Sequence, residues 1–222
     1  MKRRTFLFIR HPEASKNIED RHGGDGTPLT IRGLKQCDKI AGYIANRFGP
    51  LDRCTLVGHS VPQVQQTVER LSSILGLTSL WDERLRGTDL GVLAGLTRAE
   101  AAEQWPEAAK RLELWRMGRL RVDQLKIPCA ESTDEFKDRI EAVLNDWLDM
   151  LDVSLSIAVC TTSALIMLTN LVQLGDAFSF DLYEAHRFDI GSISTVDVLD
   201  AHPQMVTINQ TGHLEPDASR YD

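Results

Sequence analysis

The sequence predicts an α/β fold, a three-layer sandwich in which a mostly parallel sheet carries helices on both faces and a helical cap is inserted. Two observations predict it. Short apolar runs rich in β-favouring residues alternate with segments of helical period along the chain. The first such run, residues 5–9, is continuously apolar, as a strand buried on both faces requires, and ends in Arg10-His11-Pro12. There is no repeat or long linker, so the 222 residues read as a single domain, 1–222, with the cap over about 81–130.

The elements follow in order. After the first strand, 22–26 (His-Gly-Gly-Asp-Gly) reads as a flexible loop. Thr30 is placed to cap a helix running to Arg47, which Gly49-Pro50 ends. Residues 54–57 form a second buried strand with Gly58-His59-Ser60 at its carboxyl end, and a helix over 63–75 is closed by Gly76. A short strand over 77–80 leads into the irregular stretch 81–96, rich in glycine and charge. Thr97 caps a helix to Gln104 and Pro106 opens another to Arg116. Ser132 and Glu135 form a capping box, and Phe136, Ile140, Val143, Leu144, Trp147 and Leu151 give the helix after it one apolar face. A strand over 156–160, an apolar helix over 162–174 and strands over 193–199 and 205–208 complete the pattern. The helical spacing of Trp105, Trp115 and Trp147 assigns them to the core.

Composition narrows the function. A net charge of −7 leaves no basic face for nucleic acid. Lys2-Arg3-Arg4 is followed by too short an apolar run for a signal peptide or membrane span, so a cytoplasmic protein without a membrane partner is expected. Cys37, Cys54, Cys129 and Cys160 have no paired spacing, imply neither a zinc site nor disulfides, and read as buried small hydrophobes. No metal or cofactor is implied. A homodimer is compatible with these features.

Arg10 and His11 stand where ligands bind in open α/β sheets, beyond the carboxyl end of a strand. A histidine there is a candidate nucleophile and the arginine a candidate phosphate clamp; both also read as solvent-facing residues at a strand end. Further along, Thr27-Pro28-Leu29-Thr30 with Gly33 and Gln36, then Gln66-Thr67, Asp89-Leu90-Gly91 with Gly95-Leu96-Thr97, Glu131-Ser132 with Arg139, and Asn209-x-Thr211-x-His213-Leu214 follow in sequence. Together with Arg10-His11-Pro12-Glu13 and Asn17, this series resembles the histidine phosphatase superfamily, the phosphoglycerate mutase-like fold, along nearly the whole chain.

The resemblance implies a phosphohydrolase or phosphotransfer enzyme acting on a small phosphorylated metabolite or inorganic anion. His11 would become a phosphohistidine, with Arg10 and Asn17 on the phosphate. It also marks a divergent member with a degenerate catalytic pocket. The family's second arginine falls on Gln63, its acid on Gly87 and its second histidine on Thr161. Loss of a general acid costs about 10²–10⁴ in rate and loss of one charge-stabilising donor roughly 10²–10³.

Three compensations are legible. His59 reads either as a replacement donor, beside His11 in the sheet, or as a solvated loop histidine. Glu83, ahead of Asp89, is the candidate replacement acid. Thr161, Thr162 and Ser163 open a helix, where they either bind an anion or only cap it; Gln63 remains a candidate phosphate ligand. Arg84, Arg86, Arg116, Arg119 and Arg121 read as a solvated basic face or as readers of anionic groups. The competing function is an inert pseudoenzyme that binds a phosphorylated ligand or a protein partner.

Overall fold

The computed structural model describes residues 3–150 and 152–214. Lys2 and Leu151, used above, lie outside the described residues. Six strands form one sheet in the order β3-β2-β4-β1-β5-β6. They are β1 (Arg3–Arg10), β2 (Cys54–Gly58), β3 (Ser79–Trp81), β4 (Leu155–Cys160), β5 (Ile193–Leu199) and β6 (His202–Gln210). β1 to β4 are mutually parallel where they pair, and β5 runs antiparallel to both β1 and β6. The α/β expectation therefore holds, with β1 inside the sheet between β4 and β5.

Alternation along β1 decides which helix covers which face. Phe6 and Phe8 point into a cluster with α6 (Thr133–Asp149) and α7 (Thr162–Leu174). Leu7 and Ile9 point the other way, against α2 (Ile31–Phe48) and α3 (Pro62–Leu75). Every residue of β4 is buried, which explains its unbroken apolar reading. A separate apolar cluster, including Leu93, Ala101, Leu112 and Ile127, forms between β3 and α6, around α4 (Arg98–Gln104) and α5 (Pro106–Arg116). The short helix α1 (Ser15–Ile18) follows β1.

The capping expectations are realised. Thr30 Oγ1 accepts from Gly33 N at 3.0 Å, and Ser132 and Glu135 satisfy each other's backbone amides. Gly33 permits a close approach, since a Cβ there would run into the Glu13 carbonyl. Among the described residues no helix is long and apolar enough to cross a membrane.

Several expectations are corrected. β3 begins at Ser79 because Gly76 and Leu77 both donate to Ser72 O and close α3. β6 begins at His202 because Asp200 and Ala201 both take left-handed backbone in a two-residue turn, which an Asp-Ala pair does not announce. Residues 22–26 are not a loose loop: His22 N donates to Leu96 O and Gly95 N to Gly23 O, at 2.8 and 2.7 Å. Trp105 is exposed because it is the joint between α4 and α5 and belongs to neither helix face. Cys129 is exposed, in a left-handed turn whose backbone packs on Gly91.

Candidate active site

β1 delivers Arg10 and His11 to the carboxyl edge of the sheet, and both are fully buried. Their backbones are fixed on both sides: Arg10 N donates to Ser192 O and His11 N to Cys160 O. A solvent-facing strand end is thereby excluded. Arg10 Nη1 donates to Phe188 O at 2.6 Å. That carbonyl is held in turn, because Asp189 N donates to Asn209 Oδ1 at 2.6 Å. His11 Nδ1 lies 2.8 Å from Pro12 O. A carbonyl only accepts, so this contact assigns a proton to Nδ1.

A cavity of about 1190 Å³ opens beside this edge. Gln63, Glu83, Gly87, Thr161 and Thr162 line it together, so four of the sequence-selected site residues and the position expected to carry the acid share one space. The cluster between β3 and α6 contributes Leu112 and Ile127 to the lining. Thr161 directly follows Cys160, whose carbonyl holds His11 N; this joins the cavity to the candidate nucleophile.

Gln63 is buried, and its Oε1 accepts from Thr27 N at 3.0 Å, so the side-chain carbonyl is already used in tying α3 to the segment before α2. Asn17 Oδ1 accepts from Ala14 N at 3.0 Å and caps α1. Glu83 accepts from Ser60 N on one carboxylate oxygen and from Ser60 Oγ on the other, each at 2.9 Å. Thr161 begins α7 without a side-chain capping bond, and its Oγ1 has no hydrogen-bond partner among the described residues.

Two readings of His59 change. It is not a solvated loop residue, being fully buried with neither ring nitrogen hydrogen-bonded among the described residues. It is also not beside His11 in the sheet, because β4 separates β2 from β1. Burial, reinforced by the charges of Arg86 and Arg139, pushes its pKa down to about 3, so the imidazole is neutral at ordinary pH.

The basic face expected around residues 84–121 is largely neutralised. Arg84 pairs with Asp82 and Asp146, Arg116 with Glu113, and Arg121 with Asp123 and Asp181. The feature missed in the sequence is the clamp made by Arg139. Its guanidinium donates to the carbonyls of Arg84, Arg86 and Gly87 and to both carboxylate oxygens of Glu131. The signal was Glu131-Ser132 with Arg139 in the series that carries the resemblance, but nothing in it named the carbonyls.

An α/β sheet with a buried Arg-His pair at the carboxyl end of an inner strand, beside a mixed polar cavity that Gln63, Glu83, Thr161 and Thr162 line but Arg10, His11, Asn17 and His59 do not, defines the class. The chain belongs to the histidine phosphatase superfamily (branch 1), whose family model matches residues 6–211. It is 30% identical over 211 residues to the "Bifunctional protein Rv2228c" of Mycobacterium tuberculosis, covering 94% of this chain and 54% of that protein. It is 28% identical over 145 residues to the "Probable phosphoglycerate mutase GpmB" of Salmonella paratyphi C, covering 64% of this chain and 62% of that one. The chain thus spans about half the length of the first curated relatives it matches. Among solved structures, Bacillus stearothermophilus YhfR superposes with a TM-score of 0.81 at 18% identity, covering 95% and 99% of the two chains. A mycobacterial glucosyl-3-phosphoglycerate phosphatase, Rv2419c, in complex with VO3 does so at 0.73 and 21%, covering 94% and 100%. These structural likenesses establish the fold.

Proposed function

We propose that this chain is a phosphohydrolase or phosphotransfer enzyme for a small phosphorylated metabolite, working through a phosphohistidine at His11. The observation that carries the reading is the contact of His11 Nδ1 with Pro12 O, which leaves Nε2 as the nucleophilic atom. Nε2 attacks phosphorus in line, the N–P bond forms as the ester P–O bond breaks, and the leaving oxygen departs opposite. Water, or an acceptor hydroxyl, then attacks the phosphohistidine and returns the imidazole. Arg10 holds charge against the phosphoryl oxygens, with Asn17, Gln63, Thr161 and Thr162 as neutral partners. His59 is a neutral donor on the β2 side of the site. We read the segment between β3 and α6 as the cap.

The weak point of this machinery is proton delivery to the leaving group. Gly87 has no acid, and Glu83 must release one oxygen from Ser60 before it can present a proton. Turnover is therefore slow and favours leaving groups that need little protonation.

The test uses an aryl phosphate. Rapid quenching followed by peptide mapping under alkaline conditions should find phosphate on His11, and His11→Ala should abolish both adduct and turnover. An unchanged aryl rate in His11→Ala, or no turnover above background in the parent protein, would sink the enzyme reading. An inert phosphate-binding relative is then the alternative. The specific observation in its favour is that Gln63, Gly87 and Thr161 all face the same cavity, so the departures from the family pattern fall together.

A further inference from the structure

The cavity wall carries more positive charge than the chemistry above uses. Most of it is already paired: Arg21 with Glu19, Arg98 with Asp20 and Glu113, Arg116 with Glu113. Arg86 differs. It is exposed and lines the cavity, and its guanidinium makes no hydrogen bond or ion pair among the described residues. Its backbone is nevertheless firmly held, because Arg139 Nη1 donates to Arg86 O at 2.6 Å and Nη2 to Gly87 O at 3.1 Å.

That backbone also fixes where the side chain starts. Gly87 packs so closely on the start of α7 that a Cβ there would lie 2.6 Å from Thr161 Oγ1 and 2.8 Å from Ser163 Oγ. The Cα of Arg86 is therefore about 3.8 Å from a residue touching the strand end that also holds His11 N. Its charge also reaches the buried His59 on the β2 side.

A phosphoryl dianion bound over Arg10 alone is under-compensated, and Gln63, whose Oε1 accepts from Thr27 N, offers only the neutral Nε2 donors of its amide. We propose that Arg86 supplies the second fixed positive charge of the phosphoryl site, from the wall of the cavity that Gln63, Thr161 and Thr162 also line. The assignment rests on the phosphoryl-transfer reading above. Arginine suits the role because its five donors form a planar fork that matches two phosphoryl oxygens, and none of them is used among the described residues. The clamp by Arg139 means that little backbone ordering remains to be done on binding.

The test compares the parent with Arg86→Gln, Arg86→Lys and Arg187→Gln; Arg187 is a second cavity-lining arginine with no such partners. Orthovanadate affinity is measured by calorimetry, and the aryl phosphate rate is measured against a His11→Ala background. Arg86→Gln should weaken orthovanadate binding and lower the His11-dependent rate by roughly 10²–10³, with part of each loss recovered in Arg86→Lys. Its melting temperature should match the parent, because no intramolecular partner is removed. Arg187→Gln should stay within about threefold of the parent. If Arg86→Gln also stays within that range while the parent shows His11-dependent turnover, the assignment is wrong and the phosphoryl-transfer reading stands. A loss in Arg187→Gln as large as that in Arg86→Gln would equally overturn it. If the parent shows no His11-dependent turnover and binds no orthovanadate, both fail together.

Discussion

Gly87 packs on Thr161 at the cavity wall so tightly that a Cβ on the glycine would stand 2.6 Å from the threonine Oγ1. Real Cβ atoms do not approach so closely, so the two positions are coupled: the residue at 87 has no side chain because the hydroxyls at 161 and 163 occupy its place. Gly87→Ala should therefore destabilise the protein by about 1–3 kcal/mol, as overpacking does. Combined with Thr161→Ala and Ser163→Ala, the penalty should shrink, giving a favourable coupling energy in urea unfolding. Simple additivity of the three substitutions would show that the contact is not the cause.

Arg139 fixes the loop that carries Arg84, Arg86 and Gly87 through hydrogen bonds to all three carbonyls. Lysine keeps the charge but cannot reproduce the fork, so Arg139→Lys should leave part of the clamp unmade, at a cost of about 1–3 kcal/mol. The local consequence is specific. Amide exchange across 84–88 should accelerate, while α2 and β1 exchange only as fast as the global change in stability requires. Uniform acceleration throughout the chain would argue against a local clamp.

His59 sets part of the acid sensitivity. Its folded pKa, about 3, lies below the ordinary value of 6.5, so between those values the unfolded chain binds the extra proton. Stability is then unaffected above about pH 6.5 and falls as the pH drops toward 3, by at most about 1.4 kcal/mol per pH unit for this one group. His22, buried beside Arg116 with its pKa pushed down to about 4, acts with the same sign over a shorter window. Replacing His59 with Gln should flatten the fall in stability between pH 6.5 and 4. A variant that loses stability with acid as steeply as the parent would remove His59 from the account.

On the phosphoryl-transfer reading, a glycine at position 87, where the resemblance expects the acid, predicts a leaving-group bias. Aryl phosphates need little protonation and alkyl phosphates need it fully, so the aryl rate should exceed the alkyl rate by about 10²–10⁴. Glu83→Gln should lower the alkyl rate and spare the aryl rate if Glu83 delivers the proton after leaving Ser60. Equal losses on both substrates would assign Glu83 only to holding Ser60.

Much of the architecture was legible because it rests on local rules. The apolar run before Arg10, the Thr30 and Ser132 caps, the apolar periodicity of α6 and the unbroken apolar run of α7 each depend on residues close in the chain. Less of the site was legible. That Gln63 and Thr161 share a cavity with Glu83 follows only from strand order, in which β4 lies between β2 and β1. The same order removed His59 from His11's side, and burial without partners removed its reading as a solvated residue.

By itself, the sequence determined the α/β class, the element order and the placement of Arg10 and His11 at the end of a buried strand, since hydrophobic period and backbone capping act over a few residues. Only the tertiary structure decided that His11 Nδ1 meets Pro12 O, that Gly87 is closed by Thr161, and that Arg86, on a clamped loop, has no side-chain partner among the described residues. The carbonyls, hydroxyls and guanidinium that set those states come from segments far apart in the chain, and the spacing of residues in a sequence carries no record of which backbone atoms they meet.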